Sequence, residues 1–194
     1  MSSRPRWHES PHGDIQGSRL RAYSLVMWVI PVQMEPVETH IHADRRLAFQ
    51  VLTAFGARQP DGGFSTVLRD EGSRKLVEFH SLIPTAAGGK KVVRTVEWVI
   101  LHAPEAIDFE GVEGPVPFLR DRFVLEDVGG CTRFRYESTF GLKGWIIGWL
   151  VARFRVKLLL ARFMRGHTHA LRAAIEERAK RSRVFPHRGC LLTT

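Results

Sequence analysis

The feature that most constrains this chain is a change of period. From Val37 to Phe140 the apolar residues recur every second position in short runs, and from about residue 145 they recur at helical spacing for some ten turns. Val37, Thr39 and Ile41 alternate with Glu38, His40 and His42, as in a strand with one face buried. Asp44 then stands where it can cap a helix carrying Leu47, Ala48, Val51, Leu52 and Phe55. Further strand-like runs follow near 64–69, 75–83, 91–102, 106–111, 118–127 and 131–140. Gly72, Pro84 with Gly88 and Gly89, Pro104, the GPVP of 114–117, and Gly129 with Gly130 divide them. Such spacing predicts an antiparallel meander after an opening strand–helix–strand connection. A sheet with one apolar face and a long amphipathic helix must pack on each other, and a curved sheet leaves space between them for a ligand.

The helix over 145–180 carries two apolar stripes. Ile147, Val151, Phe154 and Leu158 form one, and Trp149, Val156, Leu160 and Phe163 form another on roughly the opposite side. Packing on a sheet uses one stripe. The second calls for another neighbour: the apolar run of 22–32, a second copy of the chain, a bound lipid or a membrane surface. Arg153, Arg155, Lys157 and Arg162 flank the stripes. Of the 29 basic residues seven lie in 141–175, where none of the 20 acidic residues does, so the net charge of +9 belongs to the C-terminal third. That field suits phosphate-bearing partners, an anionic membrane above all, although a solvated helix face is the plainer reading. Nucleic acid is not expected, because the aromatic residues among the basic ones are needed for packing.

The ends read differently. Residues 1–21 are rich in Ser, Arg, His, Pro and Gly and have no apolar period, so disorder is expected there. The run AYSLVMWVIPV of 22–32 is too short to span a bilayer, and no small-x-small cleavage site follows it. The chain therefore divides into an extension over 1–33, a single domain over 34–180 and a flexible tail over 181–194. The start codon stays open between Met1, Met27 and Met34. Cys131 and Cys190 are too few for a disulfide scaffold. Taken as reduced, they favour the cytoplasm, with association at the membrane face as an addition.

No GxSxG, HExxH or P-loop is present. His40 and His42 share a strand face but lack a third ligand, so neither metal nor cofactor is expected. Candidate acid–base groups are Glu97, among Val93, Thr95, Val99 and Leu101; His80, on the face of Leu76 and Leu82; and Tyr136. Each has a structural alternative as a hydrogen-bonded or solvent-facing group. Trp98, Phe134, Tyr136, Ser138, Phe140, Phe154 and Leu158 are the expected ligand-lining residues. Glu97 and Trp98 cannot both point inwards unless a bulge intervenes.

Four segments together carry a resemblance: VETHIHADRRLAFQVL, VEWVILHAPEAIDFEGVEGP, GGCTRFRYESTF and GWIIGWLVARF. Their order and spacing over about 35–180 resemble the START-like, or SRPBCC, superfamily and its polyketide cyclase/dehydrase-like bacterial members. The resemblance implies an α+β helix-grip fold: a seven-stranded antiparallel sheet curved around a long C-terminal helix, with two small helices after the first strand. It also implies a hydrophobic small-molecule ligand such as a lipid, quinone or polyketide. Binding or carriage is the first expectation. A cyclase/dehydratase-type enzyme and a membrane-surface adaptor are the alternatives, and a homodimer is an open partner. The superfamily has no universal catalytic residue to carry over.

Overall fold

The computed structural model describes residues 29–56, 58, 62–85 and 89–185. The predicted N-terminal disorder and most of the apolar run of 22–32 lie outside these residues, as does the tail beyond Phe185. In chain order the elements are β1 (Val32–Gln33), β2 (Val37–Ile41), α1 (Arg45–Leu52), β3 (Phe64–Asp70), β4 (Arg74–Pro84), β5 (Lys90–His102), β6 (Ala106–Glu113), β7 (Phe118–Val128) and β8 (Cys131–Gly141). A continuous helix ends the chain, made of α2 (Trp145–Val151), a π-helical turn (Ala152–Val156) and α3 (Lys157–Lys180). The expected strands are present with ends extended by a residue or two. Of the two small helices expected after the opening strand, α1 is the one among the described residues.

The sheet is antiparallel in the order β1–β8–β7–β6–β5–β4–β3, and β2 also pairs with β8. Val32 sits opposite Phe140 and Val37 opposite Tyr136, while the Met34 N–H donates to the Ser138 carbonyl at 2.9 Å. Thus β1 and β2 are two pieces of one edge position, broken before Pro36, whose ring cannot donate to a ladder. Seven strand positions result, as expected, in eight segments. Packing begins ahead of Met34: Val29 bridges Lys143, and Val32 is buried.

Local chemistry sets the joints. Asp44 accepts from the Arg46 N–H at 2.8 Å and caps α1, whose Leu47, Ala48 and Phe49 are buried. Gly148 lies so close to the preceding loop that a Cβ there would stand 2.3 Å from the Lys143 carbonyl oxygen. Inward positions of the long helix then recur every four residues through Ala152, Val156, Leu160, Met164 and Thr168. On a helix of ~3.6 residues per turn that spacing drifts sideways, and the wider π turn takes up part of the drift. Leu171, Ile175 and Ala179 complete the buried ridge.

The far end of α3 is tied to β2. The His42 N–H donates to Glu176 Oε1 at 3.0 Å, and Arg172 Nε donates to the same oxygen at 2.9 Å. Burial opposes ionisation of Glu176, yet these two donors outweigh it and hold its carboxyl below the usual range. Cys131 is buried and disulfide-bonded. Cys131 is therefore not the reduced thiol expected, and the part of the argument for a cytoplasmic location that rested on reduced cysteines falls. No helix among the described residues is long and apolar enough to cross a membrane.

Candidate functional site

Between the concave face of the sheet, the end of α1 and the middle of α3 lies a cavity of about 360 Å³. Its apolar wall is a chain of rings running strand to strand. Phe55 meets Phe79 edge-on at 6.0 Å between centroids, Phe79 meets Phe109 at 6.2 Å, and Phe109 meets Phe123 at 4.9 Å. Leu160, Phe163, Met164 and Leu171 close it from the helix, and Val51 and Leu52 from α1. Ser81, Ile83, Val93 and Arg58 complete the lining.

Besides Arg58, the wall carries three groups that titrate, Glu97, Asp121 and Tyr136. They come from β5, β7 and β8. The pairing places Asp121 opposite Ser138 and Phe123 opposite Tyr136, so Asp121, Tyr136 and Ser138 sit side by side. Glu97 faces Gly111 on β6, where no side chain separates it from β7. Its carboxylate accepts a hydrogen bond from Thr95 Oγ1, at 2.7 Å.

Burial dominates the chemistry of all three. It pushes the Glu97 carboxyl above its usual range, against the Thr95 hydrogen bond. It pushes Asp121 up to about 7, with Ser138 pulling the other way and the nearby Glu97 charge adding to the rise. It raises the Tyr136 hydroxyl well above its ordinary value, with the Asp121 charge contributing. Parts of the Asp121 residue keep some exposure, but Oδ1 is sealed from solvent. Ser138 and Tyr136 are near enough to bias Asp121. Even so, among the described residues Asp121 Oδ1, Tyr136 OH and Ser138 Oγ have no hydrogen-bond partner of normal geometry. Buried polar atoms of this kind are costly unless a partner satisfies them. The arrangement offers a ligand an apolar slot with hydrogen-bonding groups, among them the Asp121 carboxyl, which is protonated below about 7.

Of the residues read from sequence, Glu97 and Tyr136 line this cavity. Phe134 and Phe140 are fully buried in the core behind it, and Ser138 stands beside Asp121. Phe134, Ser138 and Phe140, expected to line the ligand site, therefore stand outside the cavity's lining, and four further placements need correction. His80 lies on the outer face of β4, where it shares a 2.8 Å hydrogen bond with Glu78 and stacks on Phe64 at 4.2 Å. Trp98 also lies outside, under the Arg74 guanidinium at 4.0 Å. β5 pairs with β4 without a break, so with Thr95 and Glu97 turned inwards Trp98 falls on the convex side; the extra residue of the shift at Val96/Glu97 is Val112 on β6. Phe154 and Leu158 point away from the sheet and are exposed, because the other stripe faces it. Among the basic residues Arg153, Arg155 and Arg162 are exposed, whereas Lys157 is half-buried and donates to Glu35 at 3.0 Å.

Asp121 is the residue the sequence reading missed. Its signal was the one that singled out Glu97: a carboxyl in an apolar alternation, here Leu119, Asp121, Phe123 and Leu125. Among the described residues no three His, Cys, Asp or Glu side chains cluster as metal ligands would.

No family model and no curated protein matches this chain. Solved structures do. An aromatase/cyclase from Streptomyces sp. R1128 superposes with a TM-score of 0.65 at 14% identity, covering 78% of this chain and 97% of its own. A START superfamily protein from Mycobacterium smegmatis gives 0.59 at 16% identity, covering 75% and 99%. The protein TTHA0849 from Thermus thermophilus gives 0.54 at 20% identity, covering 76% and 96%.

Proposed function

On this START-like helix-grip fold, of the polyketide-cyclase kind, we propose that the cavity binds a hydrophobic small molecule with one polar end. The observation that carries this reading is the division of the cavity wall. Aromatic and aliphatic side chains make most of it, and its polar part is Glu97, Asp121 and Tyr136 with Arg58, Ser81 and Thr95. Its volume of about 360 Å³ falls in the range of small-molecule sites. The apolar body of a lipid, quinone or polyketide-like compound packs against the Phe79–Phe109–Phe123 rings. A carbonyl or hydroxyl on it accepts from the protonated Asp121 carboxyl or the Tyr136 hydroxyl, relieving atoms otherwise unpaired.

Native mass spectrometry of the purified protein, followed by solvent extraction, tests the reading. The expected result is a bound mass of apolar character in wild type that is lost or diminished in Asp121→Asn. Retention of the same mass by a variant with Ser81→Trp, which fills the slot, would place the ligand elsewhere and contradict the reading.

A second reading rests on one specific observation, the Asp121 carboxyl poised at about 7 beside the Tyr136 hydroxyl. Such a group can take or give a proton near neutral pH, as a cyclase/dehydratase-type reaction on a held chain requires. Under this reading Asp121→Asn abolishes turnover while ligand affinity stays within a few-fold. Under the carrier reading the affinity itself drops.

A further inference from the structure

We propose that the outward face of α2 and the first turns of α3 docks on the surface of an anionic lipid bilayer. The face is a band of large apolar side chains in the open. Ile147 is 75% exposed, Phe154 61%, Leu158 68% and Leu159 64%, with Trp145 and Val151 alongside. Soluble chains rarely leave a contiguous apolar face of this size without a use for it. The entry to the band is strained: Gly144 has φ +105 and Trp145, a bulky aromatic, has φ +47, a conformation such residues rarely adopt. That turn sets Trp145 at the start of the band.

Charge decides what covers the band. Lys143, Arg153, Arg155, Arg162 and Arg165 are exposed around it, and among the described residues none of the four arginines pairs with a carboxylate. Glu35 reaches the edge of the band, where Lys157 takes it. A second copy packed face to face would set these arginines against their own images. The N-terminal extension is also basic, with Arg4, Arg6, Arg19 and Arg21 against Glu9 and Asp14. Nucleic acid would meet the arginines but lay its polar backbone over Phe154 and Leu158. An anionic bilayer meets both demands at once: the apolar side chains enter the acyl boundary and the arginines reach the phosphates. Exposed Leu159 is next to Leu160, and one turn from Phe163, both of which line the cavity. Docking by this face therefore brings the cavity wall to the lipid surface.

Flotation of the full chain with vesicles tests this, with phosphatidylcholine alone against phosphatidylcholine holding phosphatidylglycerol. Binding to the anionic vesicles should exceed binding to the neutral ones by about tenfold or more at 0.1 M salt and fall at 0.5 M. Phe154→Ser with Leu158→Ser should lower it about tenfold with the circular dichroism unchanged, and Arg153→Glu with Arg155→Glu should do the same. Equal binding to neutral vesicles, or binding that survives the serine pair, overturns the proposal. So does a dimer in sedimentation that the serine pair dissolves, which gives the face to a second copy. Cavity occupancy read by native mass spectrometry is a separate outcome, so failure here and failure of the cavity reading are distinguishable.

Discussion

At the scale of single residues, Asp121 carries the most weight. Its unfolded carboxyl titrates near 3.8 and its folded one at about 7. Between those values the unfolded chain gives up its proton while the folded chain keeps it. Stability therefore falls as pH rises from about 4 to about 7 and levels off above, by on the order of 4 kcal/mol from this group. Glu97 shifts in the same direction and adds to the slope. Asp121→Asn should remove most of the slope and make the protein more stable at pH 8. Chemical denaturation at pH 5, 6.5 and 8 checks this, and an unchanged slope in the variant would mean that Asp121 is ionised in the fold. The pair Glu97 and Asp121 also shows how far residue reading carries. Both are carboxyls in apolar alternations, and the pattern is as clear for one as for the other. What sequence could not supply was the direction of His80 and Trp98. Each has apolar neighbours on both faces of its strand, and the face that β5 turns to the cavity leaves no mark in composition.

At the scale of elements the long helix carries the clearest contrast. Two apolar stripes were legible, but not which one the sheet takes. A signal existed in the small residues. Gly148 and Ala152 mark the line of closest approach, and Val156, Leu160 and Met164 continue it. Truncation should separate the two faces sharply. Ile175→Ala, at a fully buried position, should cost about 2–5 kcal/mol. Leu158→Ala should stay within about 0.5 kcal/mol. Urea denaturation of the two variants reads the difference. A large cost at Leu158 would mean that its face is covered in the folded chain, against the exposure on which membrane docking rests. The strands, by contrast, were read nearly to their ends, because turn residues such as Gly72 and the Gly129–Gly130 pair punctuate an alternation with one buried face.

At the scale of the whole molecule, order and spacing of the elements led to the helix-grip fold, and structures alike at 14–20% identity share it. The cavity was inferred as a consequence of curvature, but its lining needed the register of five strands at once. A one-residue slip on β5 or β7 would have exchanged Glu97 or Asp121 for an outward neighbour. The same scale brings cavity and apolar band together on one helix, inward through Leu160 and Phe163, outward through Phe154 and Leu158. A chain built this way is suited to take an apolar compound from a lipid surface and enclose it. The most direct test of the central claim is a thermal-shift titration with lipids, quinones and aromatic polyketide-like compounds, run on wild type and on Ser81→Trp. The account predicts that compounds joining an apolar body to one carbonyl or hydroxyl raise the wild-type Tm, less so above pH 8, and leave Ser81→Trp unmoved. Equal shifts in both proteins, or none in wild type, would contradict it.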